Sequence, residues 1–368
     1  MVAIRGWLEG IRIPSSIGFI TIRSPSIEEG FKRTQLVLKD PELHKVIEAF
    51  GREDYVEVQG DAVEQDLVLR KITLVHKNEE GLPVHLGKKN SIQANQSLKG
   101  DRMMGIELAK GRVLRAIREY LCQEGFVEHP CQKLLTGATE GGSEVFRTCD
   151  QKFLAQSPQL QKQLVVNSGM MKMYDIGNVF RAEKFKTSRH SQEYTSIDLE
   201  MNVTGLEAVI NASIGVIIAA FSGLDKIITE KDFARVDYTQ AIQLLQTDRL
   251  DREGEVKLFD YFSEKFIVVT GYPEDQRAFY TDGRSNFDIL CRESELCSGS
   301  LRIPSYERLV AKCDALRIDI STPTMKKYLD SFKSGSPTTG GSGIGFDRLI
   351  ATVLGLGNIC QTHGYRVD

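Results

Sequence analysis

No Cys-x-x-Cys pair occurs in the 368 residues, although the chain has seven cysteines: Cys122, Cys131, Cys149, Cys291, Cys297, Cys313 and Cys360. Scattered thiols in odd number point to reduced cysteines in the cytoplasm, and away from a disulfide framework or structural zinc. Histidine is scarce, with six isolated copies, which argues against a histidine-based metal site. No run of about eighteen apolar residues is present, so no segment is expected to span a bilayer. The most apolar stretch, Ala208 to Phe221, is short and broken by Asn211 and Ser213, and reads as a buried helix. The start, Met1 to Trp7, enters strand-like sequence directly, without a secretory apolar core. There is no phosphate loop ending in Gly-Lys-Ser/Thr, and no dinucleotide fingerprint in a strand–turn–helix unit.

Excess charge of one sign is missing too. Forty-seven Lys and Arg meet fifty Asp and Glu, a net charge of −3, which is not the bulk signature of a nucleic-acid binder. RNA affinity follows local patches, however. Arg102, Lys110, Arg112, Arg115 and Arg118 on or near one helix form one candidate; Lys184, Lys186 and Arg189 form another. Either set is equally readable as a solvated face. A composition of 41% hydrophobic and 26% charged residues suits a globular protein long enough for two domains.

Phe180-Arg181-Ala182-Glu183, then Arg189-His190, Tyr194 and Asp198-Leu199-Glu200-Met201, concentrate cations, carboxylates and an aromatic in one short segment. Thr195, Ile197, Leu199 and Met201 alternate with Ser196, Asp198 and Glu200, the pattern of a half-buried strand. With the segment from Met173 to Phe180, this reads as a hairpin. Its charged tip is either a solvated turn or a ligand surface. A second segment, Thr338 to Ile350, runs from a glycine-rich strand into an apolar helix. Glycines let a ligand approach the backbone, and Arg348 follows where a guanidinium can cover a ring or reach a phosphate.

Residues 3 to about 80 read as short strands (Ala3–Glu9, Gly18–Arg23, Gln35–Leu38, Tyr55–Gly60 and Val68–Val75), with a helix at Pro41–Phe50 after the third. That order suggests an OB-fold barrel. Residues 81–103 lack periodicity and read as a hinge. From 104 to 368 an amphipathic helix bearing Ile106, Leu108, Val113, Leu114, Ile117 and Leu121 precedes mixed strands and helices, so the fold class expected is α+β.

The two charged segments resemble motifs 2 and 3 of the class II aminoacyl-tRNA synthetases. Thr139-Glu140-Gly141-Gly142-Ser143, Leu154 to Lys162 and Glu295 to Arg302 resemble, in order, signature segments of the aspartyl-tRNA synthetases. The short linker between motif 2 and Asp288 resembles the archaeal and eukaryotic type. The resemblance implies an antiparallel catalytic sheet flanked by helices, an anticodon-reading barrel, a homodimer, and three substrates: ATP, L-aspartate and tRNA(Asp). It implies Mg²⁺ as cofactor, held by Asp288, Glu295 and Ser298. Either Glu293 or Glu295 could be the carboxylate, and an acidic surface pair is the alternative.

For ATP it implies Arg181 and Arg348 as catalytic clamps, with Glu183, Arg189, His190, Tyr194, Glu295 and Gly345 in the nucleotide site. For aspartate it implies Glu140, Gln159, Lys162, Arg181, Asp198, Ser298 and Arg302. Phe19 and Gln35 would contact the anticodon, although Phe19 is equally readable as a barrel-core aromatic. Motif 1 departs from the family, with Gln132 where a proline is expected and Pro130 two positions early. The end after Cys360 departs as well. Alternatives are an asparaginyl or non-discriminating synthetase, or a synthetase-derived paralogue that activates an amino acid without tRNA or only binds tRNA. Intact Arg181, Glu295, Arg302 and Arg348 argue against a non-catalytic paralogue.

Overall fold

The computed structural model describes residues 1–26, 30–63, 66–78, 101–137, 145–182, 191–292 and 294–363. Contacts divide the chain into two compact units, Met1–Lys110 with the chain end from His363, and Gly111–Thr362.

In the first unit, β1 (Val2–Arg12), β2 (Gly18–Ser26), β3 (Gly30–Leu38), β4 (Tyr55–Val63) and β5 (Asp66–His76) close into a barrel in the order β1-β2-β3-β5-β4. Helix α1 (Pro41–Ile47) sits between β3 and β4, as the OB reading requires. Its start is written locally: the Asp40 carboxylate accepts from the Glu42 N–H at 2.9 Å, and Pro41 occupies the first turn, where a missing N–H costs nothing. Strand β3 begins five residues before the strand expected at Gln35, because Gly30 to Thr34 pair with Ser26 to Ile22. Leu8, Ile20, Ile22, Leu36, Leu38, Val56, Val58 and Leu69 fill the barrel. Phe19 is one step out of phase with Ile20 and is not among them, which excludes the barrel-core reading.

Helix α2 (Asp101–Gln123) crosses the division between the units, starting three residues before the expected domain start. The second unit continues with β6 (Val127–Glu128), β7 (Leu134–Leu135), β8 (Phe153–Leu154), α3 (Gln159–Asn167), β9 (Lys172–Phe180), β10 (Glu193–Asn202) and α4 (Leu206–Ser222). Then come β11 (Phe233–Asp237), α5 (Tyr238–Leu245), α6 (Arg252–Leu258), β12 (Phe266–Thr270), β13 (Thr281–Cys291), β14 (Ser294–Arg302), α7 (Tyr306–Ala315), α8 (Pro323–Asp330), β15 (Thr339–Gly345) and α9 (Phe346–Leu354).

Eight of these strands form one sheet, in the order β11-β12-β13-β14-β15-β10-β9-β6; β7 and β8 pair separately. The pairs are antiparallel except β11 with β12 and β6 with β9. One face carries Ile197, Leu199, Met201, Ile289, Cys297 and Ile344, and packs on the apolar stripes of α2, α4 and α9. The Ala208–Phe221 stretch is accordingly a buried helix, α4. No helix among the described residues is long and apolar enough to cross a membrane. The opposite face carries the polar set of β10: Ser196, Asp198 and Glu200.

The motif 1 departure has a local partner. Gln132 donates its backbone N–H to Gln161 Oε1 at 2.8 Å, and Gln161 Nε2 returns a bond to Gln132 O at 2.9 Å. A proline has no N–H to give, so the substitution is matched by the side chain at position 161. The basic stripe on α2 is largely neutralised: Lys110 pairs with Glu107 at 2.9 Å, Arg112 with Asp225 at 2.6 Å and Arg118 with Glu128 at 3.0 Å.

Candidate active site

The polar face of the sheet opens into a cavity of about 330 Å³. Gln159, Lys162, Arg181, Tyr194, Asp198, Glu295, Ser298, Arg302, Gly345 and Arg348 all line it. Their gathering follows from register. Asp198 faces Gly343 and Glu200 faces Gly341 across β10–β15, while Ser298 and Ser300 face the same two glycines from β14. Two flanking strands thus project side chains over the face of β15 that carries Gly341, Gly343 and Gly345. A Cβ on Gly341 would stand 2.2 Å from Glu200 Oε2, so the position requires glycine.

At one part of the cavity, charges are paired in advance. Arg302 donates Nε and Nη2 to the two Glu200 carboxylate oxygens at 3.0 and 2.9 Å, and Nη1 to Ser300 Oγ at 2.7 Å. The Tyr280 ring faces this guanidinium at 5.2 Å. Burial opposes the charge on Arg302, but the Glu200 carboxylate outweighs it and raises the pKa. A guanidinium has five N–H bonds. Among the described residues these contacts use three, leaving one on each terminal nitrogen. Lys162 donates to Asp198 Oδ1 at 3.0 Å and to Ser342 O at 3.1 Å, with Glu200 Oε2 at 3.7 Å. Ser196 Oγ donates to the other Asp198 oxygen at 2.6 Å. All four ionic groups are buried. Gln159, on the first turn of α3, is buried beside them.

The other part holds acids. A bulge between Cys297 and Glu295 pairs Glu295 with Leu290 while Cys297 pairs with Ile289. The extra residue reverses the alternation and turns Glu295 to the face of Asp288 and Ser298. Burial pushes the Glu295 carboxyl above its usual range, and the Asp288 charge pushes it further. Glu255 on α6 is pushed up to about 7, first by burial and then by Asp288, with Arg252 and Arg348 opposing. Arg348 donates Nη1 to the Glu295 backbone oxygen at 2.9 Å. Asp288 gives both its oxygens to Arg277, at 2.9 and 2.8 Å. On the rim, Arg181 lies over the Tyr194 ring at 5.4 Å.

These oxygen donors fit a hard cation such as Mg²⁺: the Glu295 carboxylate is crowded by Asp288, with Arg348 and Arg277 only partly offsetting it, and the Ser298 hydroxyl lines the same cavity. Among the described residues no group of three or more His, Cys, Asp or Glu could hold an ion alone. Substrate phosphate oxygens would have to complete the shell. Glu140, Glu183, Arg189, His190 and Glu293 lie outside the described residues. In the barrel, Phe19 and Gln35 come together with Thr21 and Arg12 at a surface depression of about 270 Å³.

The sequence pattern of the class II tRNA synthetases (D, K and N) matches residues 96–365. The chain belongs to that family. This synthetase is 29% identical over 407 positions to the aspartate–tRNA(Asp) ligase of Thermoplasma acidophilum, covering 98% of this chain and 93% of that one. It is 28% identical to the aspartate–tRNA(Asp/Asn) ligase of Methanopyrus kandleri, with 97% and 92% covered. Among solved structures it resembles the asparaginyl-tRNA synthetase of Pyrococcus horikoshii complexed with asparaginyl-adenylate, at a TM-score of 0.85 and 25% identity, covering 99% of this chain and 94% of that one. The aspartyl tRNA synthetase of Entamoeba histolytica shares the fold, with a TM-score of 0.83 at 24% identity over 100% and 88% of the two chains.

Two residues at the cavity and one that acts on it electrostatically from outside its lining, Glu255, escaped sequence reasoning. Glu200 stood on the predicted polar face, and its partner becomes visible only through the β10–β15–β14 register. Arg277 and Glu255 come from a turn and a helix distant in sequence, and no local signal marks either.

Proposed function

We propose that this synthetase is an aspartate–tRNA ligase, which joins L-aspartate to ATP as aspartyl-adenylate and then transfers the aspartyl group to tRNA(Asp). The observation that carries this reading is the two buried cations on the cavity wall, Lys162 and Arg302, with one N–H left on each terminal nitrogen of Arg302 among the described residues. Two parallel N–H donors match a carboxylate. An amide in the same place would turn its own N–H₂ toward a donor and leave a buried group unpaired, which disfavours asparagine.

In the first reaction a carboxylate oxygen of aspartate bonds to the α-phosphorus, the bond to the bridging oxygen breaks, and pyrophosphate leaves with the electron pair. No protein nucleophile is needed, so the residues align and neutralise. Arg181 grips the α-phosphate and the reacting carboxylate. Arg348 covers the adenine face opposite Tyr194, and Gly345 leaves room for the nucleotide. Gln159 and Asp198 orient the aspartate ammonium. Of the set Asp288, Glu295 and Ser298, Glu295 would hold Mg²⁺, with the other two beside it, and the ion would supply positive charge to the phosphates when bound. In sequence outside the described residues, Glu140 would act on the ammonium, Glu183 on the adenine edge, and Arg189 and His190 on the terminal phosphates. Residues 1–80 would read the anticodon through Phe19 and Gln35, residues 81–103 would be the hinge and 104–368 the catalytic domain. The segment after α2 would join two copies into a homodimer.

The decisive assay is ATP–pyrophosphate exchange with aspartate and with asparagine separately, followed by charging of purified tRNA(Asp) and tRNA(Asn). Exchange with aspartate alone is expected; exchange with neither amino acid sinks the reading. The relative named for both tRNAs makes charging of tRNA(Asn) with aspartate a second reading, decided by the same assay.

A further inference from the structure

Arg277 follows the short turn Glu274–Gln276 and enters the cavity wall between Gln276 and Ala278. Strand register sets Asp288 opposite Ser298, and one guanidinium spans them. Nη1 donates to Asp288 Oδ1 at 2.9 Å and to Ser298 Oγ at 3.1 Å, while Nη2 donates to Asp288 Oδ2 at 2.8 Å. The Tyr272 ring backs the guanidinium at 4.0 Å. Arg277 and Asp288 are both largely shielded from solvent, with side-chain exposures of 12% and 7%, so the pair is a built feature rather than a surface contact.

Two of the three groups expected to hold a divalent cation are therefore engaged by a fixed positive charge. A bidentate fork uses the lone pairs of Asp288 that a metal would take. A second cation beside it meets repulsion that solvent screens poorly at a shielded site. Glu295 stays available, but Mg²⁺ sheds water reluctantly and usually relies on substrate phosphates in addition to one or two carboxylates.

We propose that Arg277 is a resident cation of this site: it occupies Asp288 and Ser298, so the divalent ion enters with the nucleotide, on Glu295 and phosphate oxygens, and is not bound beforehand. This rests on the ATP-site reading of the cavity. Arg277 is a positioning residue, holding the acid and the hydroxyl that flank the incoming ion.

The test uses Mn²⁺ as probe, with free ion read by electron paramagnetic resonance, on the full chain without amino acid or turnover. With Mn²⁺ held by the analogue alone measured in a protein-free control and subtracted, wild-type protein should bind Mn²⁺ at least about tenfold more tightly with a non-hydrolysable ATP analogue than without it. Arg277→Met should gain nucleotide-free Mn²⁺ binding by about tenfold, because Asp288 and Ser298 are released and Asp288 is left without a counter-ion. A second change, Asp288→Asn, should remove that gain. A merely structural role predicts loss of binding and no gain. Equal Mn²⁺ affinity in the wild type with and without analogue overturns the proposal, whether or not Arg277→Met folds. So does an Arg277→Met protein that unfolds at the wild-type temperature and shows no gain. The Mn²⁺ readings do not depend on which amino acid is activated, so failure of aspartate exchange leaves them intact.

Discussion

The two parts of the cavity treat charge in opposite ways. Around Lys162 and Arg302 every cation has a carboxylate from β10 before any substrate arrives. Around Glu295 and Glu255, carboxylates are crowded by burial and by Asp288, whose own counter-charge is Arg277. The first part is set for recognition: its donors are held, and a ligand must match their directions. The second is unfinished, and on the proposed reading would gain from a bound cation and phosphates. Selectivity for a carboxylate therefore cannot rest on bare positive charge, since Asp198 and Glu200 already balance Lys162 and Arg302. On the proposed reading it rests on the directions of the remaining Arg302 N–H groups.

The largest effect expected is from Arg302→Ala. Aspartate-dependent exchange should fall by about 10³-fold, because truncating one partner of a buried pair costs about 3–5 kcal/mol and leaves Glu200 with only the more distant Lys162 as counter-charge. ATP affinity, measured by analogue binding, should change little. Equal loss of both would mean that the two parts of the cavity are not separable and that Arg302 is misassigned. A double-mutant cycle sharpens the same contrast. Lys162→Met should lower aspartate exchange by about 10²-fold, and adding Asp198→Asn should cost far less than its effect in the wild type. The coupling expected between two bonded buried ions is about 1–3 kcal/mol. Additive effects would show that Lys162 is not held by Asp198 in the working enzyme.

The recognition part was more legible in sequence than the acidic part, for a physical reason. Alternation along β10 assigns Asp198 and Glu200 to one face without knowledge of any neighbour, and glycines at 341, 343 and 345 announce a strand that something must approach closely. Arg302 could be named, but its tie to Glu200 depends on strand order, which no local pattern encodes. At the acidic part the choice between Glu293 and Glu295 stayed open, because alternation puts both on one face and says nothing of the bulge beside Glu295. Arg277 reaches Asp288 across a turn, and Glu255 is felt there from α6; such pairings follow from packing and not from periodicity. The barrel stands between these cases. Its strands and helix were readable, whereas the side on which Phe19 lies needed the register with β3.

The smallest effect expected is on stability, and its sign separates the two parts of the cavity. The Glu255 carboxyl is raised from 4.5 to about 7, first by burial and then by Asp288. A carboxyl with a higher pKa in the folded state than in the unfolded state is favourable while protonated, so its contribution is complete below about pH 4.5 and is lost as pH rises through about 7. Because Glu255 is partly exposed and Arg252 and Arg348 offset the acids, the loss should be on the order of 1 kcal/mol. Glu255→Gln should therefore raise the melting temperature at pH 8 by roughly 1–2 °C for a protein of this size, and leave it nearly unchanged at pH 4.5. Mg²⁺ with an ATP analogue should shrink the difference at pH 8, since the added cation relieves the same crowding. The Lys162–Asp198 pair predicts the reverse: Asp198→Asn removes the nearer counter-ion of a buried ammonium, leaving only Glu200 at 3.7 Å, and destabilises at pH 8. A Glu255→Gln protein that is less stable at pH 8 would show that the carboxylate is already satisfied there, and the contrast between the two parts of the cavity would fail.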